Sequence, residues 1–395
     1  MIIKGLIALA FGTLGLGITE FVAMGLLPYI ANDFNLSLDE AGHTISFYAL
    51  GVACGAFSLL FLRKYKLKYT LIGLIIIHIL GNAATATAQD FTTLMIARFC
   101  SGLPHGCYFG VGSIIATRIA SKGKDTGAIA IMGAGMTIAN VFGVPLGTFM
   151  ASTLSWRSIF FLVTIWGLLV LFSAVFWIKD VGAVKDNGFK GQFTFLKYKS
   201  PWLILGATLF SNAGIFCLLS YLSPLLTKVT HIPLNSIAFI MVVMGICMVL
   251  FNLVSGKLCD KLKPGKVSVI WCLCSTTALI SISLLLPYAY FAIPLICLCG
   301  GLLFATSAPF QNLILKVSEG GQLLGASCIQ AAFNLGNALG ALVGGIPFIL
   351  SLDLKIIPLL GSLLTIIGLL CIFLFARNYE FRIIQKIKED KEFKI

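Results

Sequence analysis

The chain is predicted to be an all-α membrane protein, with 12 transmembrane helices arranged as two six-helix pseudo-symmetric bundles. Three observations carry this. Of its 395 residues 58% are hydrophobic and only 11% charged, with a mean hydropathy of +1.00, whereas about a quarter of the residues in a soluble domain are charged. The apolar residues fall in runs of about 20, the length a helix needs to cross roughly 30 Å of hydrocarbon. The runs are continuous, where a membrane barrel would alternate over shorter segments, so each segment satisfies its backbone polar groups internally as a helix.

The first run, Leu6 to Leu27, follows Met-Ile-Ile-Lys and ends at Pro28. It is too long for a signal peptide and has no small-x-small cleavage site, so it is kept as span one. The others are Ala41 to Leu62, Tyr69 to Ala88, Thr92 to Thr117, Gly127 to Leu154, Ile159 to Ile178, Trp202 to Leu226, Ile237 to Leu258, Val267 to Leu286, Phe291 to Leu315, Leu323 to Leu350 and Ile356 to Phe375. The polar stretch 179–200 divides six spans from six, which gives an N-terminal bundle at 1–178, a cytoplasmic linker, a C-terminal bundle at 201–376 and a cytoplasmic tail at 377–395. The halves match weakly at an offset of about 197 residues, placing Gly17 on Gly214, Gly143 on Gly340 and Gly147 on Gly344, as expected of repeated bundles facing a central cavity.

Loop charge sets the orientation. Of the 28 Lys and Arg, 24 fall on the side that holds the linker and both termini and 3 on the other, with Arg98 left inside a span. Positive charge stays inside, so both termini are cytoplasmic and the chain belongs in a cytoplasmic (inner) membrane. The formal charge of +13 therefore reflects topology and contact with lipid headgroups, and no nucleic-acid partner is expected. The 12 Cys lie almost wholly in apolar runs without zinc spacing, so they read as small packing residues and no metal site is expected. There is no GxxxxGK[ST], HExxH or GxSxG, which argues against an ATP-driven pump or a membrane hydrolase; the chain is not expected to be an enzyme.

Chemistry centres on intramembrane charge. Glu20 sits in span one among Gly12, Gly15, Gly17 and Gly25. A charged residue at mid-membrane costs roughly 2.5 to 3.5 kcal/mol on insertion scales and reads as functional. Arg98 is the second such charge. Glu20 lies eight residues before Pro28 and Arg98 eight after Asp90, so both fall roughly 12 Å below the outer boundary. The guanidinium favours the carboxylate form and the hydrocarbon the acid form, so a modest rearrangement moves the proton on or off. His105, seven residues after Arg98, shares its helix face; it either relays a proton, lines the cavity or bonds to a backbone carbonyl. His78 in span three has the same alternatives and no matching partner.

Span five carries Gly135, Ala139, Gly143 and Gly147 at four-residue spacing with Pro145 between the last two, and span eleven repeats it with Ala332, Gly336, Gly340 and Gly344. Such stripes permit close helix contact and read as conformational seams, with a bend expected at Pro145. Asn82, Asn140, Asn212, Gln311, Asn312, Gln330, Asn334 and Asn337, with Tyr48 and Phe109 as aromatic walls, are candidates for a cavity suited to a neutral or weakly polar solute.

Three motifs add a resemblance. Gly256-Lys-Leu-Cys-Asp260-Lys261 after span eight matches a GxxxD[RK] core that closes the cytoplasmic side. Arg98 with Gly102 and Gly106 is similar to a fourth-helix motif associated with proton coupling, and Gly143-Val-Pro145-Leu-Gly147 to a fifth-helix motif of exporters. On these residues the chain resembles the major facilitator superfamily, specifically its twelve-helix drug:proton antiporter branch and the sugar- and drug-efflux permeases within it. The resemblance implies alternating access, a monomer, no cofactor beyond the proton gradient, and export of a small organic solute in exchange for protons. A facilitated-diffusion uniporter and a non-transporting membrane sensor are the alternatives. One departure stands out: where the first half should carry the motif's Gly and Asp, this chain has Leu59 and Arg63.

Overall fold

A computed structural model describes residues 2–36, 38–59, 61–62, 64–184 and 188–380. Arg63, the linker residues 185–187 and most of the tail, 381–395, lie outside the described residues. Among those described every regular element is helical. The chain runs α1 (Ile2–Phe34), α2 (Leu38–Ser58), α3 (Leu67–Thr87), α4 (Phe91–Ile119), α5 (Asp125–Thr153), α6 (Trp156–Trp177), α7 (Gly188–Gln192), a 3-10 turn (Thr194–Lys197), α8 (Lys199–Ser220), α9 (Leu222–Lys228), α10 (Leu234–Lys261), α11 (Pro264–Leu285), α12 (Ala289–Ala305), α13 (Ser307–Val317), α14 (Gln322–Ile349), α15 (Ile356–Phe375) and a π turn (Ala376–Glu380). With α8–α9 and α12–α13 each counted as one interrupted span, the 12 spans are present. Among the described residues ten helices are long and apolar enough to cross a membrane on composition alone; α2 and α4, the two long helices that fall short, carry most of the polar residues of the site described below. On α6, Phe161, Ile165, Leu168, Leu169 and Phe172 are exposed, a surface that suits lipid and not water.

Three boundaries differ from the sequence reading. Span one continues through Pro28 to Phe34, because in a bundle neighbouring groups make up for the hydrogen bond a proline forgoes. It stops where Asn35 takes φ 53° and Leu36 N–H reaches back to Ala31 O at 2.8 Å, a Schellman closure. Span seven breaks at Tyr221, whose hydroxyl donates to Ala341 O at 2.9 Å. Span ten breaks at Thr306, next to the Ala305 carbonyl that accepts from Ser255 Oγ at 2.5 Å. The polar stretch 179–200 also contains two short helical turns.

The chain forms two compact units, Met1–Gln192 and Phe193–Ile395. In the first, α5 packs along α1 and α2 along α4. The α5 stripe is consumed inside this unit: a Cβ added at Gly135 would strike Ala10 O and Leu14 N, one at Gly143 would meet Ile18 at 3.2 Å, and one at Gly147 would overlap Val22. Pro145 lies on the exposed side of α5. In the second unit Gly336, Gly340 and Gly344 of α14 lie against Leu209, Ala213 and Cys217 of α8 in the same manner. Each stripe therefore joins two helices of one unit.

The α2–α4 seam was not foreseen. Gly51 and Gly55 of α2 interlock with Gly102 and Gly106 of α4, each glycine resting on backbone of the other helix. Only residues without side chains allow two backbones this close, and the contact fixes which α2 side chains meet which on α4.

At the end of the first unit where α3 begins, Lys66 Nζ pairs with Asp180 Oδ2 at 2.8 Å, Leu67 N–H donates to Gly182 O at 3.1 Å, and Arg118 Nη1 donates to Val181 O and Ala183 O at 2.8 and 3.0 Å. The stretch after α6 thus closes the open N-terminus of α3. Leu59, at the position of the motif glycine, is fully buried, and the acid near this end is Asp180 from the far end of the unit. The hydrogen bond from Lys66 holds the Asp180 carboxyl below its usual range, and the same bond holds Lys66 above its own. A depressed carboxylate stabilises above its unfolded pKa of about 3.9 and a raised lysine below about 10.4, so the strap is expected to be closed between these values and to loosen outside them. At pH 7 Asp180→Asn is expected to accelerate hydrogen exchange at Leu67; unchanged exchange would show that the ion pair does not hold the strap. In the second unit Gly256 is buried, Asp260 half-buried and Lys261 exposed, all at the C-terminal end of α10.

Candidate functional site

The close approach of α2 and α4 assembles a buried polar cluster with α1. Thr44 and Tyr48 lie one turn apart on α2, Arg98 and His105 two turns apart on α4, and Glu20 faces them from α1. Arg98, Tyr48 and His105 are 1%, 2% and 2% exposed, while the Glu20 side chain keeps 26%. The Glu20 side chain is therefore partly exposed while its Oε2 is buried.

Arg98 does not pair directly with Glu20, contrary to the simplest expectation from their shared depth. Its Nε donates to Thr44 O at 3.2 Å and its Nη1 to Thr19 O at 3.1 Å, and the guanidinium carbon lies 4.4 Å from the Tyr48 ring centroid and 5.6 Å from that of Phe160. Two carbonyls and an aromatic face solvate the cation in place of water. Its Nη2 is buried and has no hydrogen-bonding partner, as has Glu20 Oε2.

The group facing Glu20 is His105, with Nδ1 3.8 Å from Oε2. The same Nδ1 is 2.9 Å from the Tyr48 hydroxyl, which is also 3.4 Å from Leu16 O, and the imidazole stacks on Phe109 at 5.5 Å between ring centroids. Of the three sequence alternatives for His105, the backbone-carbonyl partner is replaced by a hydroxyl and a carboxyl. Tyr48, read from sequence as a cavity wall, is instead the centre of this cluster, touching Arg98 through its ring and His105 through its hydroxyl. Thr19 and Thr44, which present the carbonyls, were not singled out, because main-chain acceptors leave no mark in residue type.

The amides separate into two groups. Asn82 is fully buried and bonded to Thr19 and His78, and Asn212 donates to Phe333 O at 2.9 Å and to the Asn337 side chain, tying α8 to α14. These bonds are interhelical ties within each unit. Gln311 and Asn312 are buried within α13. Asn140 and Asn334 reach only a carbonyl one turn back on their own helices, at 3.4 and 2.9 Å, and with Gln330 are half-buried, so these three keep polar capacity to offer. Among the described residues no group of His, Cys, Asp and Glu could hold a metal ion.

Comparison with known proteins gives one consistent answer. The Major Facilitator Superfamily profile matches residues 9–326. AraJ of Escherichia coli (strain K12) is 38% identical over 382 residues, covering 95% of both chains. The inner membrane transport protein YdhP of the same strain is 34% identical, over 94% of this chain and 96% of that one. A "Probable sugar efflux transporter" of Mannheimia succiniciproducens is 24% identical over 86% and 85%. Among solved structures, the E. coli fucose:proton symporter FucP shares the fold, with a TM-score of 0.75, 14% identity and coverage of 94% and 98%.

Proposed function

The chain belongs to the major facilitator superfamily and is a multi-pass membrane transport protein, and from that premise we propose that it exports a small organic solute across the cytoplasmic membrane in exchange for protons carried by Glu20. The observation that carries this reading is the position of Glu20: one carboxyl oxygen buried 3.8 Å from His105 Nδ1, in a side chain that remains partly exposed.

The proton step uses the two acceptors of the Tyr48 hydroxyl. With Glu20 ionised, Tyr48 O–H donates to His105 Nδ1 and Glu20 Oε2 finds no donor, its charge balanced at longer range by Arg98. When a proton arrives on Oε2, the carboxyl moves in from its 3.8 Å separation so that the new O–H can donate to Nδ1, and the Tyr48 hydroxyl turns to the Leu16 carbonyl. Neutralising Glu20 leaves Arg98 a buried cation without a counter-charge, which is costly in a low-dielectric site. The protonated and ionised units therefore prefer different arrangements of α1, α2 and α4, which is what coupling to alternating access requires. No cofactor enters; the proton gradient supplies the energy.

Half-buried Asn140 in the first unit and half-buried Gln330 and Asn334 in the second, each unit taken by itself, offer uncharged polar groups that suit a sugar-like or drug-like solute, and the name of the Mannheimia relative points to sugar export by that protein. The loop-charge bias supports cytoplasmic termini. Thermal-shift screening against sugars, nucleosides and antimicrobials identifies the solute. Its addition to weakly buffered protein is then expected to release protons in the wild type; solute binding without release would make the protein a uniporter. Tyr48→Phe removes the rotating hydroxyl and is expected to lower gradient-driven efflux about tenfold, a barrier increment of roughly 1.4 kcal/mol, while leaving solute counterflow intact. An unaltered pH profile of efflux in this variant would exclude the hydroxyl from the step.

A further inference from the structure

His78 takes no part in the proton step, and its surroundings point elsewhere. It is 6% exposed and stands in the wall of a small cavity enclosed by Gly12 and Leu16 of α1, Leu74 and Ile75 of α3, Pro104 and Tyr108 of α4, and Val170 of α6. The space open to the centre of a water molecule is about 10 Å³, close to the least that one water needs.

The tautomer of His78 follows from its neighbours. The Asn82 amide group facing the His78 backbone carbonyl at 2.8 Å must be the NH2, since a carbonyl can only accept. The same Nδ2 lies 3.2 Å from His78 Nδ1. Nδ1 is therefore the acceptor and, in the neutral ring, Nε2 carries the hydrogen. That Nε2 is buried and has no hydrogen-bonding partner among the described residues. It sits beside Gly15, where an added methyl carbon would come within 3.2 Å of it. Tyr108, also in the cavity wall, donates through its hydroxyl to Leu9 O at 3.2 Å, which leaves that oxygen a lone pair with which to accept. The missing side chain of Gly12 makes room for that hydroxyl. The residues that carry this buried donor and this acceptor, His78 and Tyr108, thus both line a space of one-water size. Buried polar groups in native proteins are almost always satisfied, by internal water where protein groups do not reach.

We propose that this cavity is a binding site for a single water molecule, which accepts from His78 Nε2–H and donates to Tyr108 Oη, joining α3 to α4. The water ends a run of hydrogen bonds that passes from His78 through Asn82 to Thr19, the residue whose carbonyl holds Arg98. The proposal concerns a tautomer and a bound water, so it stands or falls independently of proton transport by Glu20.

Solid-state NMR of the full chain in lipid bilayers, with 15N-labelled histidine and the His78 signals identified by their loss in His78→Asn, tests it. The expected wild-type spectrum shows Nε2 protonated, Nδ1 bare, and magnetisation transfer from water to the Nε2 proton. Val170→Ile places one more carbon in the cavity and is expected to abolish that transfer with the tautomer unchanged. A His78 ring protonated at Nδ1, a doubly protonated ring, or a wild-type Nε2–H without transfer from water would overturn the proposal, as would transfer that persists in Val170→Ile. Should that variant not fold, the wild-type spectrum decides alone.

Discussion

Glu20→Gln is expected to abolish solute accumulation driven by a pH gradient in proteoliposomes while leaving solute binding and counterflow measurable. The magnitude follows from the energy source. One proton moving through about 100 mV delivers about 2.3 kcal/mol, enough for roughly a forty-fold concentration ratio of a neutral solute. Glutamine matches the protonated acid in shape and removes the proton, so the ratio should collapse toward one. Glutamine is expected to hold the unit in the arrangement of the protonated acid, one the transport cycle itself visits, with the Thr19 and Thr44 carbonyls and Tyr48 there to solvate Arg98, so solute binding should survive. Undiminished gradient-driven flux in this variant would remove Glu20 from the mechanism.

Gly106→Val is expected to be the most damaging substitution outside the polar cluster. A Cβ at this position would strike the Val52 carbonyl and lie 2.7 Å from Ala56 N and 3.1 Å from Ala56 Cβ. These are largely backbone atoms of a packed helix, which cannot turn aside as a flexible side chain can. Overpacking costs roughly 1–3 kcal/mol where side chains can give, and here α2 itself must move. That shift would carry Tyr48 away from His105 and Thr44 away from Arg98, so transport should be lost together with thermal stability. Gly42→Ala on the same helix is the control, since nothing lies within 4 Å of its added methyl group. Wild-type melting and transport in Gly106→Val would show that the α2–α4 seam is looser than the close backbone approach implies.

How much of this was legible in the sequence depended on whether the signal was one-dimensional. Run length read directly as twelve spans, since it is set by the thickness of the bilayer. The breaks at Tyr221 and Thr306 were not readable, because they are set by hydrogen bonds from Tyr221 to α14 and from Ser255 to the Ala305 carbonyl. Counting residues from the membrane boundary brought Glu20 and Arg98 to one level, and both do belong to one cluster. Depth says nothing about the direction in which a side chain leaves its helix, and that is why the expected ion pair is instead an arginine on two carbonyls and a carboxyl facing His105. The small-residue stripes were visible, but their partner helices were not, since a stripe records that something approaches closely and not what does. Tyr48 was misplaced for the same reason. Its role is fixed by the register of α2 against α4, which rests on Gly51, Gly55, Gly102 and Gly106 as a set. Asn82 and Asn212 could not be told from Asn140 and Asn334 by type, because an amide that ties two helices and one left half-buried differ only in their neighbours.

The central claim is that the Glu20 carboxyl gains and loses a proton within the working range of the transporter. Infrared difference spectroscopy of the protein in lipid, recorded as pH is lowered, reads this directly through the C=O stretch of a protonated carboxylic acid. The account predicts a band that grows on acidification, is absent from Glu20→Gln, and changes amplitude when the exported solute is added. A spectrum in which wild type and Glu20→Gln are indistinguishable would contradict it.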